Sequence, residues 1–178
     1  MRLETGDIIF NKFTGDIWES PMKMFEWLIS TFTKSPYTHV AIVLNVGKDY
    51  TQVGESVSKG FTIWNSRGYY ESKIDTGESA VMRFKGGLSP LIKKKVLGEA
   101  LAIENIAYDW YDILDLIINI LFKAKTRFGR KNMLICSEAV SRIYTLCGIY
   151  LVEDKYDDEV TPADLSRSDK LIKVEINE

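Results

Sequence analysis

The sequence is poor in the residue types that build disulfide frameworks. Its 178 residues include only two cysteines, Cys136 and Cys147, and a single histidine, His39. Two cysteines in a chain of this size do not make a disulfide framework, so a reducing compartment is tolerable although not required. Reactivity, rather than cross-linking, is therefore the property to weigh for each of these three residues.

The chain also lacks a strong net charge and a long apolar run. The formal net charge of -2 is too small to indicate a nucleic-acid partner, and Lys93-Lys94-Lys95 is the only compact basic run. The most apolar segment, residues 113–122, contains Asp115 and Asn119. It is shorter than the ~20 residues of a spanning helix, so we do not expect stable membrane insertion.

Acidic residues precede any apolar run at the N-terminus, which does not fit a secretory signal peptide and favours a cytoplasmic location.

No motif for a cofactor or a metal ion is present in the sequence. The glycines are scattered as turn residues, and no glycine-rich loop has the spacing that binds phosphate, so nucleotide chemistry is not expected. The acidic run at residues 153–159 lacks the alternating spacing and the central glycine of a calcium loop. We interpret that run as a solvated loop. The sequence thus predicts neither a metal site nor a cofactor.

The order of the predicted elements indicates a single α+β domain over residues 1–178. Hydrophobic residues make up 46% of the chain, which is enough for a real core. An antiparallel sheet in sequence order is predicted from β-branched and apolar runs at 7–10, 38–46, 50–56, 61–65, 80–84 and 170–176. Start signals and apolar periodicity predict helices at 20–32, 91–103, from about 108, and at 136–148. The first helix should bury a face formed by Met24, Phe25, Leu28, Ile29 and Phe32.

His39 lies near the start of the second predicted strand, where a lone histidine is often only a polar residue at the rim of a sheet. Glu55 favours a functional role instead. A hairpin centred on residues 47–49 would place Ala41 opposite Glu55, so that Glu55 and His39 share a face, one diagonal step apart. The carboxylate could then hold the tautomer of the imidazole. A two-residue turn would put the two side chains on opposite faces, so the contact depends on the length of the loop.

Cys136 is predicted to begin a helix, directly after the apolar residues 133–135. The positive end of a helix dipole and its free N–H groups lower the pKa of a thiol, and the same groups can bind an oxyanion during acyl transfer. Most free cysteines are instead small, buried apolar residues, an interpretation that fits Cys147 well. His39 and Cys136 together are the minimum parts of a thiol nucleophile with its base.

Several short motifs occur in an order that resembles one enzyme superfamily. They are Gly6-Asp7-Ile8-Ile9-Phe10, Thr38-His39-Val40-Ala41-Ile42-Val43, Glu55-Ser56, Cys136-Ser137-Glu138-Ala139-Val140 and Thr161-Pro162-Ala163-Asp164-Leu165. Their order and spacing resemble the NlpC/P60 superfamily of papain-like enzymes. Because the histidine and the glutamate precede the cysteine, the sequence is most similar to the circularly permuted YiiX/YaeF-like branch, to which a poxvirus protein and the lecithin:retinol acyltransferase-like proteins are related.

The resemblance implies a papain-like α+β fold in which a central antiparallel sheet or small barrel packs against helices. It implies that Cys136 is the nucleophile, that His39 is the general base and acid, and that Glu55 orients His39. Tyr108 resembles a tyrosine that lines the substrate site in relatives. The reversed chain order is compatible with this chemistry, because geometry rather than sequence order defines such sites.

The resemblance further implies a thiol-dependent hydrolase that cleaves an amide bond through a thioester intermediate. The expected substrate is a peptide or amino-acid amide, such as a cell-wall peptide. Two alternatives stay open, a lipid acyltransferase or lipid hydrolase, and a catalytically silent binding domain of the same fold. The expected partner is therefore a small peptide or another acylated substrate, and the sequence leaves the oligomeric state undetermined.

Overall fold

The computed structural model describes residues 2–16, 18–19, 21–107 and 134–175 of the chain. Within these ranges one sheet contains the strands β1 Ile8–Lys12, β2 Tyr37–Val46, β3 Thr51–Val57, β4 Gly60–Asn65, β5 Ser79–Phe84 and β6 Leu171–Val174. The helices in the same ranges are α1 Pro21–Thr33, α2 Tyr69–Asp75, α3 Pro90–Ala102, α4 Cys136–Leu146 and α5 Pro162–Ser166. None of these described helices combines the length and the apolarity needed to cross a membrane.

The sheet is open and antiparallel throughout, in the order β4-β3-β2-β1-β5-β6. It is therefore not the small barrel that the resemblance allowed. Strands β1 to β4 follow sequence order, as predicted. The prediction is wrong for β5, which returns to the free edge of β1 and pairs Val81 with Ile9. The predicted edge strand near the C-terminus is confirmed as β6, which pairs with β5.

Each face of the sheet carries its own apolar cluster, because side chains alternate between the two faces along every strand. On the first face, Val40 and Ile42 of β2 pack with residues of α3 and α4. On the second face, Ala41 of β2 and Val53 of β3 pack with Tyr70 of α2. The sheet is thus covered on both sides, and the position of a residue along its strand decides which cluster its side chain meets.

A β-bulge at Leu44 sets the register of the β2–β3 hairpin. Next to the turn, Val46 pairs with Thr51, and the loop between them consists of residues 47–50. Beyond the bulge, Val43 pairs with Val53, so β2 has one residue more than β3 between these pairs. The loop is one residue longer than the predicted turn, and the bulge compensates for that difference.

The bulge restores the relation between His39 and Glu55 that the sequence predicted. A loop with an even number of residues, without the bulge, would direct Glu55 to the first face, away from His39. The reason is that a shift of one residue in the register moves every side chain of a strand to the other face. The extra residue at Leu44 shifts the pairing by one position, so that Ile42 pairs with Gly54. His39 and Glu55 consequently share the second face.

The helices α1, α3 and α4 lie where the sequence predicted them, whereas the short helices α2 and α5 were not predicted. The predicted buried face of α1 is wrong in part, because Met24 is 44% exposed while Ile29 is 8% exposed. Gly148 follows α4 with a φ of 81°, the left-handed conformation that glycine adopts without strain at a helix end. The helix predicted from about residue 108 lies outside the described residues.

Polar contacts at both ends hold α4 against the rest of the fold. Near its beginning, the hydroxyl of Ser137 donates to the carbonyl oxygen of Val160 at 2.6 Å. Near its end, the buried hydroxyl of Tyr144 donates to the carbonyl oxygen of Gly6, just before β1. These two contacts fix the helix along its length and therefore also fix the position of its first residue, Cys136.

The acidic run at residues 153–159 is more than the solvated loop that was predicted. Asp157 begins a short 3₁₀ helix, Asp157–Glu159, and accepts hydrogen bonds at 2.6 and 2.9 Å from the hydroxyls of Ser141 and Thr145 on α4. Within the ranges that the structure covers, no group of three or more His, Cys, Asp or Glu residues is arranged to hold a metal ion. The run therefore contributes to the anchoring of α4.

Candidate active site

The side chains of His39 and Glu55 form a hydrogen bond on the second face of the sheet. Nε2 of His39 lies 2.6 Å from Oε2 of Glu55. The Glu55 side chain is 8% exposed and that of His39 is 21% exposed, so the ring is the more accessible of the two. Because Nε2 donates to the carboxylate, Nδ1 is the ring nitrogen that is left for a second partner.

Three donors converge on the buried carboxylate of Glu55. Besides His39, the indole N–H of Trp64 donates to Oε1 at 2.6 Å, and the hydroxyl of Tyr70 donates to Oε2 at 2.9 Å. Burial favours a raised pKa for Glu55, but its contacts with His39, and then those with Trp64 and Tyr70, lower the pKa below its ordinary value. Glu55 is therefore held as an ionised acceptor with a fixed orientation.

Trp64 and Tyr70 were missed at the sequence level, although the register of β3 and β4 contains a signal for one of them. Glu55 pairs with Thr62 across the tight hairpin, which places Trp64 one diagonal step away on the same face. Tyr70 belongs to α2, and the place where this short helix packs depends on tertiary contacts that no local pattern reports.

Cys136 is the first residue of α4, and its thiol is hydrogen-bonded to the ring of His39. The N-cap residue, Ile135, has no side chain that could accept from the free N–H groups of the first turn. The thiol takes over part of this role, since the N–H of Ser137 donates to it, as does the N–H of Val40 from β2. The beginning of the helix and the strand thus both present donors to the sulfur.

The N–H of Val40 is available to the thiol because the β2–β3 ladder stops before reaching it. The last pair is Ile42 with Gly54. The N–H of Val43 donates to the carbonyl oxygen of Asp7, on the β1 side of β2. Backbone N–H groups of successive residues point to alternate sides of a strand, so the N–H of Val40, three residues away, points toward β3. The two strands have separated at this point, and the thiol of Cys136 lies at the gap between them.

Cys136 and His39 reach each other from opposite faces of the sheet. Cys136 packs within the first-face cluster. His39 lies two residues before Ala41 on β2, so its side chain points to the same face as that of Ala41, which belongs to the second-face cluster. The gap between β2 and β3 allows the two side chains to meet, and the result is a continuous series of contacts from Cys136 through His39 to Glu55.

The contacts between these groups shift the pKa values of the thiol and the imidazole toward an ion pair. Burial favours a raised pKa for Cys136, but the charge and hydrogen bond of His39, with the two backbone N–H groups, lower it. Burial favours a lowered pKa for His39, but Cys136, and then Glu55, raise it to about 10. Both shifts favour the ion pair of thiolate and imidazolium over the neutral thiol and imidazole.

A cavity of about 500 Å³ opens beside His39 and Glu55. Its walls are largely polar and include three lysines, which are Lys12, Lys23 and Lys73. Cys136 is not part of the wall that the described residues form, because its thiol lies beyond the ring of His39, at the gap between the strands. A ligand in the cavity would therefore meet the imidazole before it meets the thiol.

Two other sequence-level assignments have different outcomes. Cys147 lies at the opposite end of α4 and is buried, as predicted, and burial raises the pKa of its thiol. Tyr108, expected to line the substrate site, lies outside the described residues, and that assignment stays a prediction. The cysteines at the two ends of α4 thus have pKa shifts of opposite direction.

Comparison with solved structures shows a fold already known from another protein. The chain is similar to the crystal structure of the metalloprotein YiiX from Escherichia coli O157:H7, with a TM-score of 0.65 over 98% of this chain and 97% of that chain. The chain has the fold of YiiX. Sequence identity is 20%, so the likeness to YiiX concerns the fold alone. No protein-family profile and no curated protein matches the sequence.

Proposed function

We propose that this protein is a thiol-dependent hydrolase that cleaves amide bonds through a thioester on Cys136. The observation that carries the proposal is the series of hydrogen bonds from Cys136 through His39 to Glu55, with the thiol at the beginning of a helix. A nucleophile, its base and an orienting carboxylate are the groups that acyl transfer through a thiol requires. A cysteine with a purely structural role needs neither an imidazole nor two N–H donors at its sulfur.

The reaction begins when the Cys136 thiolate attacks the amide carbonyl carbon, so that the S–C bond forms and an electron pair moves onto oxygen. Collapse of this intermediate breaks the C–N bond, and Nδ1–H of His39 protonates the departing amine. The neutral imidazole then takes a proton from the water that attacks the thioester. Loss of the carboxylic acid restores the thiolate and the imidazolium. Glu55 holds Nε2–H in both steps and so keeps Nδ1 directed at the reacting atoms.

The charges that line the cavity favour a peptide-like amide over a lipid. Lys12, Lys23 and Lys73 line the cavity, and Glu26 pairs with Lys23 at 3.1 Å. A long acyl chain would bury apolar surface against these charged groups and lose their hydration, whereas a carboxylate would be stabilised by them. We therefore infer that the substrate is a peptide or amino-acid amide that carries a carboxylate.

YiiX is named a metalloprotein, which raises the question of whether Cys136, His39 and Glu55 could together bind a metal ion. Thiolate, imidazole and carboxylate are all ligand types, but His39 lies between Cys136 and Glu55 and contacts one with each side of its ring. Their donor atoms therefore do not converge on one point, as the ligands of a metal site must. These residues do not fit a shared metal ion, and no step of the proposed mechanism uses one.

We further propose that the chain belongs to the circularly permuted YiiX/YaeF-like branch of the NlpC/P60 superfamily. The fold of YiiX and the chain order His39, Glu55, Cys136 support this assignment. The placement of the cysteine at the beginning of a helix that packs on a histidine-bearing antiparallel sheet supports it as well.

The hydrolase proposal is tested with the purified protein and a panel of peptide and amino-acid p-nitroanilides, with phospholipids and acyl esters as competing substrates. We expect turnover of the amides and an acyl adduct on Cys136 that mass spectrometry detects. Cys136→Ala and His39→Ala should each abolish turnover with an unchanged circular dichroism spectrum. Cys147→Ala, the matched control at the other end of α4, should keep it. Full turnover in Cys136→Ala would overturn the mechanism, and a preference for lipid esters would overturn the substrate class.

A further inference from the structure

Ser56 carries a buried hydroxyl group without a hydrogen-bond partner. The residue is 1% exposed, and its Oγ is one of the few buried side-chain oxygens, among the described residues, for which no partner exists. An unpaired buried hydroxyl has lost its hydration without a replacement, so it destabilises the fold. A ligand could supply the missing hydrogen-bond partner and offset this cost.

The side chain of Ser56 points to the first face of the sheet, on which Cys136 also packs. Along β3, Ser56 points to the same side as Gly54, two residues earlier. A Cβ atom built on Gly54 would lie 2.6 Å from the ring of Phe61, a member of the first-face cluster. Ser56 is also the direct cross-strand neighbour of Phe61. The hydroxyl is therefore on the side of the sheet from which the thiol approaches the gap.

Ser56 borders both the cavity and the gap that contains the thiol. It lines the cavity together with His39. The register of β2 and β3, continued past the last pair of Ile42 with Gly54, brings Ser56 across the gap from Val40. The N–H of Val40 is a donor to the thiol of Cys136. A carbonyl group that reaches the sulfur at this gap would therefore lie next to Ser56.

We propose that the hydroxyl of Ser56 donates a hydrogen bond to the substrate carbonyl oxygen while the Cys136 thiolate attacks, and that Ser56 is thus a catalytic residue of the oxyanion hole. This inference rests on the proposed hydrolase function. As the S–C bond forms, the carbonyl oxygen becomes an anion, and a preoriented donor in a buried site stabilises that charge. Ser56 keeps its proton throughout, because the amine receives its proton from His39. In the free protein the hydroxyl has no partner to give up, which leaves it available to the oxyanion.

Two electrophiles distinguish this role from a structural one. p-Nitrophenyl acetate reacts at a carbonyl carbon and forms an oxyanion, whereas iodoacetamide alkylates the same thiol at a saturated carbon and forms none. We expect Ser56→Ala to slow the acylation of Cys136 about 100-fold, the effect of removing one oxyanion donor. The alkylation rate should stay unchanged, and the melting temperature should not fall, because the removed hydroxyl had no partner.

Ser72→Ala is the control, since Ser72 is an exposed serine that does not line the cavity, and it should change neither rate. Equal acylation rates in the unsubstituted protein and Ser56→Ala would overturn the role of Ser56 and leave the hydrolase proposal intact. A parallel fall in acylation and alkylation would also overturn it, because the substitution would then have disturbed the thiol itself. Failure of the hydrolase proposal has a different signature, in which the unsubstituted protein is acylated no faster than free cysteine, and this result would overturn both proposals.

Discussion

Nε2 of His39 donates to Oε2 of Glu55 across 2.6 Å. Because the carboxylate fixes this nitrogen as a donor, the proton that can be transferred lies on the other ring nitrogen, beside Cys136. Glu55 is in turn held by Trp64 and Tyr70. Changes on the far side of the imidazole should therefore alter the reactivity of the thiol, although none of these groups touches the sulfur.

Glu55→Gln should lower both activity and stability. A glutamine that keeps its oxygen toward His39 turns its NH₂ group toward the indole N–H of Trp64, so that two donors face each other. We expect the free energy of unfolding to fall by about 1–3 kcal/mol, the cost of leaving a buried polar group unpaired. Turnover should fall by less than in Cys136→Ala or His39→Ala, because an orienting residue makes no bond.

The contribution of Trp64 is measured by a double-mutant cycle in urea unfolding. Trp64→Phe removes the opposed donor, so it should cost less stability in the Glu55→Gln protein than in the unsubstituted one. Additive free energies across the four proteins would contradict the arrangement described for this carboxylate.

The rate of amide hydrolysis should show a plateau between the lowered pKa of Cys136 and the raised pKa of His39. Below the lowered pKa of Cys136 the thiol is protonated and the rate falls, and the fall occurs at lower pH than for an ordinary thiol. Above the pKa of His39, raised to about 10, the imidazolium loses the proton that the leaving amine needs, so the rate falls again. Stopped assays of kcat across this range measure both limbs. An acid limb centred at the pKa of an ordinary thiol, ~8.5, would contradict the ion pair.

Tyr144→Phe should destabilise the fold without changing the chemistry. The buried hydroxyl donates to the carbonyl of Gly6 and ties the end of α4 to the segment before β1. Removing it leaves a buried carbonyl without this donor, and we expect the free energy of unfolding to fall by about 1–3 kcal/mol. The matched control is Tyr150→Phe, since Tyr150 is 58% exposed. An equal effect of the two substitutions on urea unfolding would show that the contact does not anchor the helix.

The lysines of the cavity should set a preference for substrates with a carboxylate. We expect a lower KM for a peptide amide with a free carboxylate than for its carboxamide counterpart, and we expect Lys12→Gln to reduce this difference without a change in kcat. Lys155→Gln is the control, since Lys155 pairs with Asp164 on α5 and does not line the cavity. A substrate preference that Lys12→Gln leaves unchanged would argue against a role for this lysine.

The strands and helices that carry the site could be predicted because their signals are local. The β-branched run of β2 and the helix beginning at Cys136 both lie where the sequence placed them. The bulge at Leu44 could not be predicted in this way, since its position depends on how both faces of the sheet fit their clusters. The shared face of His39 and Glu55 was therefore predicted correctly, but from a turn that is one residue too short.

The parts of the site that the sequence did not reveal depend on long-range packing. The N–H of Val40 reaches the thiol only because β2 and β3 separate beyond Ile42. Tyr70 reaches Glu55 only because α2 packs on the second face. Neither the separation of two strands nor the docking of a short helix has a signature in the local order of residue types.

The most direct test of the central claim, that His39 activates Cys136, is the pH dependence of alkylation by iodoacetamide. The measurement uses Cys147→Ala protein, in which Cys136 is the only remaining cysteine. We expect the rate to reach its maximum well below pH ~8.5, the pKa of an unperturbed thiol, and we expect His39→Ala to move the midpoint up toward or beyond that value. A midpoint near ~8.5 that His39→Ala leaves in place would contradict the account.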